Sequence, residues 1–263
     1  MTGPLTLAET IFVDTNAFTL AGTYLSVAQT LNLPPFGPEC DEAALDAALR
    51  ARMPKGQAKY LTKGARALSY LKKKAEAEAS ILVSVMSVFE AMNSAVESHL
   101  NAQLATIGLG PRGRQRLNDR SDLVKHFLTP EDHRRITDVA SATIDRVKQH
   151  VGFEIQVFEW TQRDQMAVLP VVLEPLISHT RLDVQDAWIA AAALVSLSDT
   201  LVTFDGDFRE TVNRIHNPSG EAEWVTVRDA VMTALRSLNP MSHQLVNVTV
   251  PQGVMPAVYE GLT

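Results

Sequence analysis

Ile11-Phe12-Val13-Asp14-Thr15-Asn16 runs three bulky apolar residues into an aspartate followed by two good helix-capping residues. A stretch that is apolar at consecutive rather than alternate positions suits a strand buried on both faces, as in a parallel sheet. Three further segments place an acid at or just past a short apolar lead-in: Ile81-Leu82-Val83 ahead of Glu90, Leu182-Asp183-Val184 ahead of Asp186, and Leu201-Val202-Thr203 ahead of Asp205. The first and last of these also read as buried strands. In open α/β sheets ligands bind outside the carboxyl ends of the strands, so acids at those ends and on adjoining helices can converge. Carboxylates held together repel one another unless a cation sits among them, and hard oxygen ligands favour Mg²⁺ or Mn²⁺. The expectation is a divalent-metal site.

Strand and helix patterns alternate along the chain, which predicts an α/β fold. Strands are expected near residues 11–14, 80–84, 153–158, 200–204 and 222–226. Helices are expected at about 16–31, 41–52 and 57–78, then 86–106, 115–128 and 131–150, and finally 184–197 and 226–238. Thr129-Pro130-Glu131-Asp132 signals a helix start, with Thr as cap and Pro at the first helical position. Pro170 and Pro175 limit any long helix in 159–183. The alternating stretch Leu245 to Val250 suits an edge strand or an arm for a partner. Nothing resembles an internal repeat or a linker that forces a second domain.

The 263 residues can bury a sizeable core, and 46% hydrophobic with 21% charged content is ordinary for a soluble globular protein. The single cysteine, Cys40, rules out an intramolecular disulfide and a Cys-rich zinc site, which fits a reducing, cytoplasmic setting. Met1 to Thr10 shows no secretory signal, and the longest apolar run, Ala187 to Val195, is too short to span a bilayer, so no membrane is expected. The Asn247-Val248-Thr249 sequon is then idle. A net charge of −6 argues against a protein that coats nucleic acid nonspecifically. Positive charge is nevertheless concentrated between Asp46 and Glu76, where there is no acid. Lys55, Lys59, Lys63 and Arg66 follow helical spacing there, and Arg112, Arg114, Arg116 and Arg120 form a second cluster. Both fit a solvated surface as well as a nucleic-acid contact.

Each acid has an ordinary local use. Asp14, Thr15 and Asn16 are all favoured caps. Glu90 in Ser87-Val88-Phe89-Glu90 fits a capping box, Asp186 in a first helical turn offsets the macrodipole, and Asp205-Gly206 is a good turn. Their joint placement at separate strand-to-helix junctions is what calls for a shared explanation. Two-metal phosphodiester chemistry needs such a set, with carboxylates fixing the ions that activate water and stabilise the leaving oxygen.

Val13-Asp14-Thr15-Asn16, Ser87-Val88-Phe89-Glu90, Asp186-Ala187-Trp188-Ile189-Ala190-Ala191 and Leu201-Val202-Thr203-Phe204-Asp205-Gly206-Asp207-Phe208 together resemble, in order and character, the four motifs of PIN-domain nucleases, including VapC-type toxins. The resemblance implies a PIN-like three-layer α/β/α sandwich around a central parallel sheet. It implies metal-coordinating, catalytic roles for Asp14, Glu90, Asp186 and Asp205, with Asn16 and Thr203 as supporting polar residues and Mg²⁺- or Mn²⁺-dependent cleavage of RNA. Asp183 and Asp207, close neighbours of Asp186 and Asp205, compete as further supporting residues. The resemblance covers about half of the chain. Residues 32–78 and 108–150 read as helical insertions in a single domain over 1–238, with a C-terminal extension over 239–263. RNA is the expected substrate; an antitoxin-like protein and a second copy of the chain stand as partners, and toxin and RNA-processing roles both stay open.

Two other readings remain. One is a catalytically silent PIN-like module that binds RNA or protein. The other is a phosphatase of the haloacid dehalogenase type with Asp14 as nucleophile, which ranks last because that family wants an Asp where this chain has Asn16. Gly108-Leu109-Gly110-Pro111-Arg112-Gly113 matches a dinucleotide fingerprint only in letters, since it follows a helix-like stretch and carries a proline. The histidines show no paired zinc spacing, and there is no nucleophile elbow or Walker motif.

Overall fold

Strands β1 (Thr10–Val13), β2 (Ser80–Val83), β3 (Ile155–Val157), β4 (Thr200–Val202) and β5 (Asn247–Thr249) form one sheet, in the order β3-β2-β1-β4-β5 with every pairing parallel. These positions come from a computed structural model, which describes residues 8–31, 42–52, 55–93, 108, 110, 129–152, 154–238, 245–249 and 251. Parallel neighbours need a crossover, and here helices supply it. The register sets Val13 beside both Val83 and Val202, and Val83 beside Val157. The residues that follow, Asp14, Ser84, Phe158 and Thr203, therefore leave the sheet along one carboxyl edge.

Side chains alternate across the sheet, as the strand period requires. Ile11, Val13, Ile81, Val83, Ile155 and Val202 enter one core, and Phe12, Leu82 and Leu201 enter the other. On the first face lie helices α1 (Thr15–Leu31), α2 (Glu42–Arg52), α3 (Lys55–Glu76) and α5 (Pro130–Val151), through Phe18 and Tyr24, Leu45 and Leu49, Leu68 and Leu71, and Val147 and Val151. The described part of α4 is residues 85–93. After β3 come the short helix α6 (Phe158–Thr161), a 3₁₀ turn and α7 (Leu169–His179). Helices α8 (Val184–Val195), α9 (Gly206–His216) and α10 (Ala222–Leu238) follow, and with α7 they fill the second core through Leu176, Ile189, Phe208 and Val227. The architecture is α/β, with helices on both faces of an all-parallel sheet, compatible with a three-layer sandwich. Among the described residues no helix is long and apolar enough to cross a membrane.

Several expectations hold and one needs correction. Thr129 caps α5 in a reciprocal capping box with Asp132, with Pro130 in the first turn. Helices α2, α3 and α5, which fall in the stretches read as insertions, are part of the core that covers the sheet. The strand expected at 222–226 is the start of α10. Ser219 and Gly220 turn the chain at positive φ, and Trp224, Val227, Val231 and Ala234 are buried at helical spacing. The fifth strand is instead β5, which pairs with β4 at the edge of the sheet and lies within Leu245 to Val250, the stretch expected as an edge strand or an arm. The helix expected at 115–128 and the tail beyond 251 lie outside the described residues.

Helix α1 carries the first candidate motif, and its closeness to α3 depends on Gly64. A Cβ at Gly64 stands 2.2 Å from the carbonyl oxygen of Leu20 and 2.9 Å from Tyr24 Cβ, so α3 meets α1 nearly backbone to backbone. In a free helix Gly→Ala gains about 1 kcal/mol. Here the added methyl must push against backbone, and Gly64→Ala is expected to cost about 2 kcal/mol or more. Urea denaturation measures it; an unchanged or raised stability contradicts this account of the α1–α3 contact.

Candidate active site

Strand β1 lies between β2 and β4: the chain runs from β1 outward through β2 to β3, then crosses back to β4 on the other side of β1, so the strand order reverses there and a crevice opens at its carboxyl end. Asp14 occupies that point. Its backbone N–H donates to Val202 O (2.9 Å), which continues the β1–β4 ladder by one residue, and its side chain is only 4% exposed. The Thr203 hydroxyl donates to Asp14 Oδ2 (2.6 Å) and accepts from Asn16 Nδ2 (3.2 Å) and from the Asp205 backbone N–H (2.9 Å). That uses the one donor and both acceptor sites of the hydroxyl. Asn16 Oδ1 in turn accepts from the Phe204 N–H (2.9 Å). Asn16 and Thr203 thus hold Asp14 by tying the end of β1 to the end of β4.

Asp14, Asn16, Tyr60, Glu90, Asp186 and Asp205 line one cleft of about 450 Å³, so all four acids picked out in the sequence come together. Their electrostatics are unfavourable. Burial pushes the Asp14 carboxyl up to about 7, and the charges of Asp186 and Glu90 add to the rise against the pull of the Thr203 hydrogen bond. Asp186 is pushed up to about 6 by burial, then by Asp183, Asp205 and Glu90. Glu90 is raised by burial and by Asp183. No basic side chain figures among the causes of these three shifts.

The other acids are placed less symmetrically. Asp205 caps α9, its Oδ1 accepting the N–H groups of Asp207 (2.8 Å) and Phe208 (3.0 Å). Asp183 caps α8 in the same way, accepting from Gln185 and Asp186 (both 2.9 Å), yet stays close enough to raise Glu90 and Asp186. Asp207 is exposed in the first turn of α9 and does not line the cleft. The capping-box reading of Glu90 is overturned. Ser84 caps α4, its hydroxyl accepting the Met86 N–H (3.1 Å), while Ser87 is buried inside the helix and Glu90 stands more than a turn from the helix start. The local explanation for Glu90 is thereby removed.

Among the described residues, no three His, Cys, Asp or Glu side chains stand as a group that could hold a metal ion. Like charges keep their distance, and one oxygen of Asp205, one of Asp183 and one of Asp14 are already committed to hydrogen bonds. The donor set nevertheless fits a hard divalent cation: it is all oxygen, it sits at one crevice, and among the described residues no basic side chain figures in the causes that raise its carboxyls. Of the basic residues, Lys59 is exposed on α3 next to Tyr60, and Lys63 Nζ lies 5.6 Å from the ring centre of Phe204, the neighbour of Asp205. Arg66 is half-buried farther along α3, the side chain of Lys55 is not described, and Arg112, Arg114, Arg116 and Arg120 lie outside the described residues.

Tyr60, Asn93 and Gln185 line the cleft without having been expected. Tyr60 sits inside the basic helix, where only its neighbours' charges were legible. Glu159 was also missed, although it stands just past β3 and so obeys the same rule that found the other acids. No protein-family model matches the chain, and comparisons with curated proteins and with solved structures also find no match.

A raised carboxyl binds its proton more tightly in the folded chain than in the unfolded one. Stability from Asp14 is therefore complete below the unfolded value of 3.8 and is lost as pH rises to about 7. Asp186 acts in the same sense up to about 6. The cost of the ionised Asp14 is on the order of 4 kcal/mol. In EDTA, Asp14→Asn is expected to melt several degrees above the wild type at about pH 8, with the difference shrinking to nothing below about pH 4. Thermal melts across that range check it, and a pH-independent difference contradicts it.

Proposed function

We propose that the protein is a metal-dependent hydrolase of RNA phosphodiester bonds, with a PIN-like fold and site. One observation carries the proposal: Asp14 at the end of β1, Glu90 on α4, Asp186 in the first turn of α8 and Asp205 at the cap of α9 line a single cleft, and burial with neighbouring acids raises the proton affinity of Asp14, Glu90 and Asp186 with no basic side chain among the causes. A solvated or capping acid needs no such arrangement, whereas a carboxylate cluster with excess negative charge suits Mg²⁺ or Mn²⁺.

In this proposal Asp14 and Asp186 would be the principal holders of the cation, with Glu90 and the free oxygen of Asp205 completing the set. A divalent ion supplies Lewis acidity, making water a nucleophile near neutral pH and offsetting charge on phosphoryl oxygens. Thr203 fixes the orientation of Asp14, and Asn16 fixes Thr203, so the deepest carboxylate is held before substrate arrives. Lys59 and Lys63 on α3 supply positive charge for a phosphate backbone in an otherwise acidic chain. Tyr60 offers a half-exposed ring at the cleft for a base.

A module that binds RNA without cutting it is the second reading, favoured by the spread of the carboxylates, which do not stand as a ready metal cage among the described residues. Incubation with single-stranded and structured RNAs separates the two. The proposal expects cleavage that needs Mn²⁺ or Mg²⁺, stops in EDTA, and falls about a hundredfold or more in Asp14→Asn. Tight RNA binding with no metal-dependent cleavage supports the second reading, and cleavage undiminished in Asp14→Asn defeats the first.

A further inference from the structure

We propose that Glu159 is a positioning residue that sets the spacing between Glu90 and Asp186, by joining the two helices on which they ride. This rests on the metal-site reading above. Glu159 follows Phe158, which is fully buried and packs edge-on against Phe12 of β1 with ring centres 6.3 Å apart. Its carboxylate is thus anchored to the centre of the sheet. Oε1 accepts from the Ser84 hydroxyl (2.6 Å) and from Trp188 Nε1 (3.0 Å), and Oε2 accepts from the Val85 N–H (2.7 Å). Ser84 is the cap of α4 and Val85 its first residue, so two of the three bonds fix the start of the helix that carries Glu90. The third reaches α8 two residues beyond Asp186.

A carboxylate whose only task was to satisfy a helix start needs the α4 donors alone. The indole bond adds nothing to the α4 cap and instead couples it to α8. It also matters which groups are joined: Glu90 and Asp186 are like-charged carboxylates lining the same cleft, so the helices that carry them need a tie. Glu159 provides one while accepting three donors and lying outside the cleft lining.

Glu159→Gln keeps the shape but turns an N–H toward a donor, breaking at least one of the three bonds. Mn²⁺ binding followed by electron paramagnetic resonance on folded protein is the direct readout, with steady-state RNA cleavage beside it. The expected result is Mn²⁺ affinity weakened about tenfold or more, a lower kcat with unchanged KM for RNA, and recovery of kcat in excess Mn²⁺. Trp188→Phe removes only the α8 bond and is expected to weaken Mn²⁺ binding about threefold, which keeps the test open should Glu159→Gln fail to fold. A role in fold stability alone lowers the melting temperature of these variants and leaves the folded protein's Mn²⁺ affinity and kcat at wild-type values; that outcome overturns the inference. Wild-type protein that binds no Mn²⁺ sinks the metal-site reading and this inference with it, whereas wild-type binding that folded variants leave unchanged sinks this inference alone.

Discussion

The hydrogen bond from the Thr203 hydroxyl to Asp14 joins the two central strands at the point where the sheet's topology reverses. Of the contacts that favour the charged carboxylate it is the largest, ahead of the backbone bond at Thr15, and it works against burial and two neighbouring acids that push the group toward protonation. Losing that donor would leave Asp14 buried beside two acids with the Thr15 backbone bond left in its favour, a situation that normally costs several kcal/mol or neutralises the group. With it, the end of β1 and the end of β4 are locked in register, and Asn16, Phe204 and Asp205 follow from the same node. The site is therefore built into the sheet rather than carried by loops, which suits a constellation that must hold its geometry.

The cleft holds its acids at an energetic cost. Three carboxyls are raised together, and the fold offsets the repulsion with ties placed around the cleft: Thr203 for Asp14, capping for Asp205 and Asp183, and Glu159 between α4 and α8. Locally unfavourable charge that persists in an otherwise well-packed chain is a mark of function. On the proposed reading the missing favourable partner is a divalent cation, and the basic residues of α3 belong to the substrate and not to the acids.

Much of the fold was legible because both faces of the sheet are buried. Strands such as Ile11-Phe12-Val13 and Ile81-Leu82-Val83 have no polar side and stand out as apolar blocks. The edge was legible by a different signal: β5 is three residues long and only partly buried, and it lies in the alternating stretch Leu245 to Val250 that suited an edge strand or an arm. Ala222-Glu223-Trp224-Val225-Thr226 misled, because it suggested a strand until the burial of Trp224, Val227 and Val231 showed a helical stripe. Asp14 and Asp205 could be found because each sits just past the end of a strand, whereas Glu90 lies inside α4 and Asp186 follows the helix α7, so their places were legible only from the short apolar segments before them. What the sequence could not say was which local partners they have: the true cap of α4 is Ser84, three residues before the serine that suggested a box with Glu90. Glu159 stayed hidden because its partners come from residues 84, 85 and 188, a convergence set only by tertiary structure.

The central claim is that these four carboxylates form one cation site. Crystals grown with Mn²⁺ and measured for anomalous scattering at the manganese edge test it most directly. The account predicts a manganese peak inside the cleft, contacting Asp14 and Asp186 with Glu90 and Asp205 drawn toward it. A well-ordered cleft with no peak, or manganese bound only at other surfaces, would contradict it.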